Sequence, residues 1–190
     1  MTFPKLNTMR LQLVEITKKH TENYYAILSM DEVTKYYGMD PLKNKSDALG
    51  MIRSFHQNYE SNRGIRWGII ISDTQEFAGT VGLNNLSLWS KKAEIGYELH
   101  PNYWNQGYIT EAVEGVLNYA FDELQLFRMG AVTYPQNTAS ITVLEKLGFQ
   151  REGLLRGYLY QNDQSYDANI FSLLKNEWKE NLAEKTIESH

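Results

Sequence analysis

The sequence predicts a single α+β domain built around a mixed β-sheet. Three observations indicate this fold: strand-like and helix-like segments follow one another without repeats or linkers, several neighbouring strands are joined by short turns, and 190 residues fit one domain. A chain of this size buries roughly 70% of the surface of its unfolded state, so its core needs no disulfide or structural metal.

The first third of the chain is expected to contain one strand and two helices. Residues 10–16 (RLQLVEI) alternate with the two-residue period of a strand. Apolar residues recur at helical spacing in 18–30, and a second helix is expected from the capping residue Ser46 to about Tyr59.

Three strands are expected in quick succession in the middle of the chain, over 66–72, 77–88 and 93–99. The turns between them, at 73–74 and 90–92, are only two or three residues long. Connections this short predict antiparallel hairpins.

The last third is expected to form a helix, a strand, a helix and a hairpin. Their expected ranges are 111–124, 127–134, 137–147 and 149–174, with Asn137 capping the second helix and Gly148 ending it. The charged residues 175–190 are expected to fray. We therefore assign residues 1–178 to the domain and 179–190 to a charged C-terminal tail.

Composition excludes several kinds of site. A chain with no cysteine has no disulfide, thiolate zinc site, iron–sulfur cluster or cysteine nucleophile. Its histidines show no metal-ligand spacing, so we predict no metal. A net charge of −4 predicts no nucleic-acid binding and suits a cationic substrate.

No apolar run approaches the ~20 residues of a membrane span, and no signal peptide is evident, so we expect a cytoplasmic protein without membrane contact.

A turn containing a glycine leaves the third of the central strands and opens the next helix. It reads Trp104-Asn105-Gln106-Gly107-Tyr108-Ile109-Thr110-Glu111-Ala112. The first turn of a helix has unpaired N–H groups and a partial positive charge, and it therefore attracts phosphate oxygens. Gly107 would let a ligand approach the backbone without an intervening Cβ. A single glycine is equally typical of an ordinary strand–helix turn.

A second motif brackets the following helix. Asn137-Thr138-Ala139-Ser140 opens it, and Glu145-Lys146-Leu147-Gly148-Phe149 closes it. Asn137 is a helix cap by residue type. Ser140 lies in the first turn, where it either faces solvent or meets a ligand.

These two motifs, in this order and about 30 residues apart, resemble the acetyl-CoA-binding motifs of the GNAT family of N-acetyltransferases. The chain is also similar to the branch of ribosomal-protein N-terminal acetyltransferases. The segments that carry this similarity are AEIGYELHP, YW, QGY and TEA, followed by PQNTAS and VLEKLGF. The resemblance covers about residues 8–178. It implies a GNAT-like mixed, largely antiparallel twisted sheet of about seven strands flanked by about four helices.

The resemblance also implies acetyl-CoA as co-substrate and assigns residues to it. Asn137 would contact the pantetheine arm, the strand ending at Leu99 would pair with its amides, and Ser140 would lie near the thioester sulfur as the candidate general acid. The family's phosphate loop is usually written Q/R-x-x-G-x-G/A, and this chain departs from it at Trp104 and Ile109. The backbone N–H groups expected to hold the pyrophosphate are those of Gln106, Gly107, Tyr108, Ile109 and Thr110.

Acetylation requires a neutral amine, although an α-amine has a pKa of about 8 and a lysine amine about 10.4. We select Glu98 as the candidate general base because it lies late on the strand that precedes the loop; partial burial would have to raise its pKa. Glu94, on the same face of the strand, is the alternative. The role of an exposed strand carboxylate fits Glu98 equally well and fits Glu94 better than that of a base. His100, Tyr134 and Asp167 rank lower, since a structural role fits each at least as well.

The predicted activity is transfer of an acetyl group from acetyl-CoA to a primary amine by direct attack in a ternary complex, with a (ribosomal) protein N-terminus as acceptor. A polyamine or aminoglycoside acceptor is one alternative, and a catalytically idle acyl-CoA-binding module is another. The acceptor would lie among the first two helices, the loop around Tyr36 and the hairpin. Tyrosines are frequent in these segments, and we expect some to wall the acceptor cleft. The sequence leaves open whether the protein forms a homo-oligomer.

Overall fold

Eight strands form one sheet in the computed structural model, which describes residues 2–188 and the side chains of residues 2–184. Their spatial order is β1-β2-β3-β4-β5-β6-β8-β7, so only the last two depart from the order of the sequence. The strands are β1 (Leu6–Asn7), β2 (Leu11–Glu15), β3 (Ile65–Ile71), β4 (Phe77–Ser87), β5 (Lys92–Leu99), β6 (Arg128–Thr133), β7 (Gln150–Gln161) and β8 (Gln164–Leu174).

Helices cover both faces of the sheet. Apolar side chains alternate along β3, so that Trp67 and Ile69 join the main core on one face while Ile70 packs in a smaller core on the other. None of the helices within residues 2–188 has the length and apolar composition needed to cross a membrane. They are α1 (Thr21–Leu28), α2 (Asp31–Thr34), α3 (Lys45–Glu60), α4 (Tyr108–Asn118), α5 (Thr138–Lys146) and α6 (Lys175–Glu188).

The sheet opens between β5 and β6, which run parallel whereas the other neighbouring strands of the described chain are antiparallel. Their pairing covers three positions, from Lys92 opposite Arg128 to Glu94 opposite Gly130. Beyond these positions the strands separate, and their backbone groups no longer pair with each other. Backbone N–H and C=O groups inside a protein require partners, so the opening suits an extended ligand that supplies them.

The predicted fold class is confirmed. The sheet has eight strands and the described chain six α-helices, where about seven and about four were expected. The additional elements are β1, the single-turn helix α2, and α6. Helix α4 begins at Tyr108, three residues before the expected start, because its first turn is part of the glycine motif.

The start of the segment expected to fray is helical instead. Trp178 in α6 is 1% exposed, and its indole N–H donates to the side-chain oxygen of Asn118 at 2.9 Å. Trp178 and the partly buried Leu182, four residues later, therefore dock a helix whose other residues are mostly polar. Part of the tail, residues 189–190 and the side chains beyond 184, lies outside the described residues, and the domain boundary at residue 178 stays a prediction.

Candidate active site

The separation of β5 and β6 leaves a cavity of about 340 Å³, here called the central cavity. Both strands, the start of α5 and the segment after α2 form its walls. The hydroxyl oxygen of Thr133, one of its lining residues, is buried and has no hydrogen-bond partner among the described residues. Leaving such an atom unpaired costs roughly 1–3 kcal/mol, so Thr133 marks a point where a ligand can supply the missing hydrogen bond.

The β5–α4 loop, residues 100–107, folds back onto the end of β5. The indole N–H of Trp104 donates to the Leu99 carbonyl at 2.8 Å, so a side chain engages this acceptor on the strand. Positive φ angles at Asn105 (58°) and Gly107 (77°) then turn the chain into α4. Glycine adopts this left-handed conformation without the strain that a Cβ adds.

The loop delivers a row of backbone donors to the start of α4. The helix begins directly after Gly107, and its first N–H groups have no acceptor within the helix. They combine with the positive end of the helix dipole to form an anion-binding site. The residues in this turn are Tyr108, Ile109 and Thr110, with Gln106 and Gly107 just before them.

A second group of residues, the Arg10 clamp (Thr8, Arg10 and Glu111), fixes this turn from the N-terminal strands. Arg10 donates to the Gln106 carbonyl at 3.0 Å and to Glu111 at 2.7 Å, and its guanidinium lies 4.5 Å from the centre of the Tyr108 ring. Thr8 donates to Glu111 at 2.6 Å. Burial acts to raise the pKa of Glu111, but the hydrogen bonds from Thr8 and Arg10 outweigh it and lower that pKa.

The second motif places Ser140 at the wall of the central cavity. Asn137 caps α5 as expected, with its side-chain oxygen accepting from the Ser140 N–H at 3.2 Å. The Ser140 hydroxyl oxygen lies 2.8 Å from the Tyr97 hydroxyl oxygen. Burial raises the pKa of Tyr97 to about 12 although the bond to Ser140 acts to lower it. The motif thus brings a protonated hydroxyl pair to the cavity.

Glu98 belongs to a buried group that we call the Arg66 network (Tyr37, Arg66, Thr80 and Glu98). Both carboxylate oxygens of Glu98 are engaged, one accepting from Thr80 and the other from Arg66. Arg66 is 7% exposed and Glu98 5%. Burial acts to lower the pKa of Arg66, but adjacent Glu98 raises it above its ordinary range, so the two groups form a buried ion pair.

The Arg66 network reaches the central cavity through Arg66 and Tyr37. Arg66 donates to the Tyr37 hydroxyl at 2.6 Å, to Thr80 at 2.8 Å and to the Gly96 carbonyl at 3.1 Å. Burial raises the pKa of Tyr37 above its ordinary range. Tyr37 therefore presents a neutral phenol to the cavity.

Glu94, the alternative carboxylate, lines the central cavity itself. One of its oxygens accepts from the Asn85 side chain at 3.0 Å, and the residue is half-buried. Within the described residues, this side chain makes no other hydrogen bond and no ion pair. Glu94 can therefore receive a cation or a proton without breaking an ion pair.

The lower-ranked candidates have structural contacts. His100 accepts the Asn102 N–H at 3.2 Å, and Asp167 accepts the Gly157 N–H at 2.9 Å within the C-terminal hairpin. Tyr134 lines the cavity but donates its hydroxyl to Gln161 at 2.8 Å. Burial and adjacent Tyr166 raise the pKa of Tyr134.

Tyrosine rings form part of one wall of the central cavity. The Tyr36 ring lies 5.7 Å from that of Tyr134, which in turn lies 5.6 Å from that of Tyr166. The amide of Gln161 ties the hairpin to the end of α2 and to the segment after it by donating to the carbonyls of Thr34 and Met39. Tyrosines from three distant segments thus meet at one place.

Sequence reasoning missed Arg10, Arg66 and Thr133. Arg66 carries a recognisable signal, because a lone charge in the apolar run IRWGIII indicates a buried ion with a partner. Arg10 and Thr133 carry no such signal. Among the described residues, no group of three or more histidine and acidic side chains is arranged to hold a metal ion.

Comparison with known proteins gives a consistent result. A family model described as an acetyltransferase (GNAT) domain matches residues 10–150. The Bacillus subtilis protein YoaA, named as an uncharacterized N-acetyltransferase, is 45% identical over 173 residues, 91% of this chain and 98% of that protein. The ribosomal protein uS5-alanine N-acetyltransferase of Escherichia coli is 28% identical over 131 residues, 68% of this chain and 66% of that protein.

Solved structures share the fold. The spermidine N-acetyltransferase from Vibrio cholerae, in complex with CoA and spermine, superposes with a TM-score of 0.79. The match covers 90% of this chain and 98% of that chain at 18% identity. At this identity the likeness concerns the fold alone.

Proposed function

The chain belongs to the GNAT acetyltransferase family, and from that premise we propose that it acetylates the N-terminal α-amine of a protein, with a ribosomal protein as the candidate acceptor. Its reaction class is acetyl-CoA-dependent acyl transfer to nitrogen. We also propose a cytoplasmic location, since ribosomal proteins are available there.

The observation that carries the acceptor class is the space beyond the central cavity. A second cavity of about 420 Å³ adjoins it, and Arg66 and Asn84 line both. The amide side chains of Asn58 and Asn85 also line this second cavity. Amides offer both donors and acceptors to peptide groups. A small amine needs the central cavity alone, whereas an extended N-terminus has use for both.

The cofactor is proposed to bind on the opposite side, along the β5–α4 loop. In this proposal the N–H groups of residues 106–110 hold the pyrophosphate, and the pantetheine arm enters between β5 and β6 next to Asn137. The Leu99 carbonyl already accepts from Trp104, so the arm would pair with strand positions before Leu99. Departures from the family loop at Trp104 and Ile109 matter little if backbone groups make the contacts.

Glu94 is proposed to take the amine proton. Glu94 lines the central cavity, and because its carboxylate accepts only the hydrogen bond from Asn85, it can still accept a proton. Glu98, the first candidate from the sequence, has both carboxylate oxygens engaged in the Arg66 network. An α-amine with a pKa of about 8 is mostly protonated at neutral pH, so a nearby carboxylate both attracts the cation and receives its proton. The role of Glu98 as base stays a prediction that substitution tests.

A small cationic amine is the second candidate acceptor. Tyrosine rings together with the Glu94 carboxylate suit a polyamine, because ring faces and carboxylates both attract cations. The net charge of −4 agrees with such a substrate. The two candidates differ in whether the second cavity contributes to binding.

Two measurements test the proposal. Acetyl-CoA should raise the melting temperature of the protein, since a ligand that binds the folded state stabilises it by RT ln(1 + [L]/Kd). Release of CoA should then be compared for short and long peptides with the same N-terminal residue, for polyamines and for aminoglycosides. Longer peptides should show a lower KM. A preference for polyamines would support the second candidate, and no stabilisation by acetyl-CoA would contradict both.

Peptide binding can be assigned to the second cavity with a matched pair of variants. Asn58→Ala, which removes an amide from its wall, should raise KM for the long peptide and leave KM for the short one unchanged. Asn23→Ala removes an amide from a groove elsewhere on the surface and serves as the control. An equal effect of Asn58→Ala on both peptides would show that the second cavity does not bind the acceptor.

A further inference from the structure

Tyr97 and Ser140 join two elements at the wall of the central cavity. Tyr97 lies on β5, and Ser140 lies in the first turn of α5, where Asn137 fixes its backbone. Their hydroxyl oxygens are 2.8 Å apart, within the range of a strong O–H···O bond. Both residues line the cavity, so a ligand there meets the pair directly.

The direction of this hydrogen bond follows from acidity. A phenol is far more acidic than an alcohol, and the more acidic hydroxyl is the better donor. The Ser140 carbonyl oxygen, 3.5 Å from the Tyr97 hydroxyl, is at the outer limit of hydrogen bonding and does not compete. With its pKa raised by burial to about 12, Tyr97 also keeps its proton at neutral pH. Tyr97 therefore donates and the oxygen of Ser140 accepts.

We propose that Tyr97 is a positioning residue, whose donated hydrogen bond leaves the hydroxyl proton of Ser140 directed into the central cavity, toward the sulfur of the bound thioester. The inference rests on the proposed function and on Ser140 lying near that sulfur. Without Tyr97 the Ser140 hydroxyl would rotate freely, and its proton would point toward the sulfur only part of the time.

The proposed step balances without a proton leaving either hydroxyl. The amine nitrogen forms a bond to the acetyl carbon and its proton passes to the carboxylate base. When the C–S bond breaks, its electron pair goes to sulfur, and the Ser140 O–H donates a hydrogen bond to the thiolate. A thiol has a pKa of about 8.5, so a hydrogen bond suffices to stabilise the leaving group, which later takes a proton from water.

The first test needs no acceptor. The thiol of bound CoA is titrated by its thiolate absorbance, with the desulfo-CoA complex as the blank. A donor to the thiolate lowers the pKa of that thiol, so Ser140→Ala should raise it by on the order of one unit, a tenfold change in acidity. Tyr97→Phe should raise it by about half a unit, because the serine remains but is no longer oriented.

Tyr59→Phe is the matched control. Tyr59 also donates one hydrogen bond through its hydroxyl, to the Thr2 carbonyl at 3.0 Å, and it lies outside the central cavity. Its loss should leave the pKa of the bound thiol unchanged. A thiol pKa in Tyr97→Phe equal to that of the wild type would overturn the inference, whatever happens to stability.

A second test uses turnover. Tyr97→Phe should lower kcat roughly tenfold with little change in KM for acetyl-CoA, because the bond to the thiolate forms only as the C–S bond breaks. In the Ser140→Ala background the same change should have no further effect, since the two hydroxyls act as a unit. Independent, multiplying effects would contradict the inference.

The outcomes separate this inference from the proposed function. Absence of turnover with every amine, together with the expected shifts of the thiol pKa, would contradict the proposed acceptor and support the hydroxyl pair. Turnover with peptides, with no shift of the thiol pKa in Ser140→Ala or Tyr97→Phe, would support the proposed acceptor and contradict the role of the hydroxyl pair. A protein that does not bind CoA would contradict both.

Discussion

The proposed cofactor side, at the β5–α4 loop, and the proposed acceptor side, at the central cavity, are held in place by different kinds of contact. On the cofactor side, the β5–α4 loop offers backbone N–H groups, and the partly exposed Arg10 clamp fixes it from outside. On the acceptor side, the Arg66 network buries an ion pair, and tyrosines from three segments pack together. One side presents its backbone and the other its side chains.

This difference predicts that the two sides tolerate sequence change differently. A backbone donor survives most substitutions, so the loop can depart from the family pattern at Trp104 and Ile109 and still present its N–H groups. A buried ion pair depends on both partners, and removing one leaves an uncompensated charge. We therefore expect variants of the Arg66 network to lose stability most, and variants of the β5–α4 loop to lose affinity for the cofactor.

The largest expected effect is on stability. Arg66→Met leaves the Glu98 carboxylate buried without its partner, which should cost about 3–5 kcal/mol of unfolding free energy. For a chain of this length that corresponds to a fall in Tm of roughly 10 °C. Arg10→Met, which removes a partly exposed arginine, should cost about 1 kcal/mol or less. Denaturant unfolding of both variants measures the contrast, and equal losses would contradict the distinction between the two sides.

The next effect separates the two carboxylates. Glu94→Gln should lower kcat about a hundredfold with Tm unchanged, because a general base contributes roughly 10²–10⁴ to the rate. The loss should be largest at low pH, where the amine is mainly protonated and most needs a proton acceptor. Glu98→Gln should lower Tm first, since it removes the charge that pairs with Arg66. A stable Glu98→Gln protein with the larger loss of kcat would return the role of base to Glu98.

A smaller effect concerns cofactor affinity. Gly107→Val places a β-branched residue at a φ of 77° and brings its Cβ within 3.4 Å of the Arg10 guanidinium. Such strain costs on the order of 1–3 kcal/mol, so the Kd for CoA should rise by roughly 5-fold to 150-fold in isothermal titration. Gly153→Val, where a Cβ would meet no atom within 4 Å, is the control. Unchanged affinity in Gly107→Val would show that the loop is not the phosphate site.

The same contrast explains what the sequence could predict. The strands around Trp67 and Ile95 follow from alternating or continuous apolar residues. The β5–α4 loop and the start of α5 follow from local motifs in which Gly107 and Asn137 have fixed places. The Arg66 network joins residues from four separate segments, and the Arg10 clamp spans about a hundred positions of sequence. No local pattern encodes such contacts. Trp178 was missed for a related reason, since Trp178 and Leu182 are too few apolar residues among charges to show a helical period.

The smallest effect concerns the pH dependence of the Arg10 clamp. The pKa of Glu111 is lower in the folded protein than in the unfolded chain, so its carboxylate stabilises the fold above the unfolded value of about 4.5, and this contribution is lost as pH falls through the folded pKa. At neutral pH, Glu111→Gln should therefore lower stability by about 1 kcal/mol, or roughly 2–4 °C in Tm. As the pH falls below the pKa that this carboxyl has in the unfolded chain, the Tm values of the wild type and of Glu111→Gln should converge. Thermal melts across this range measure the gap, and a constant gap would show that the charge of Glu111 does not stabilise the start of α4.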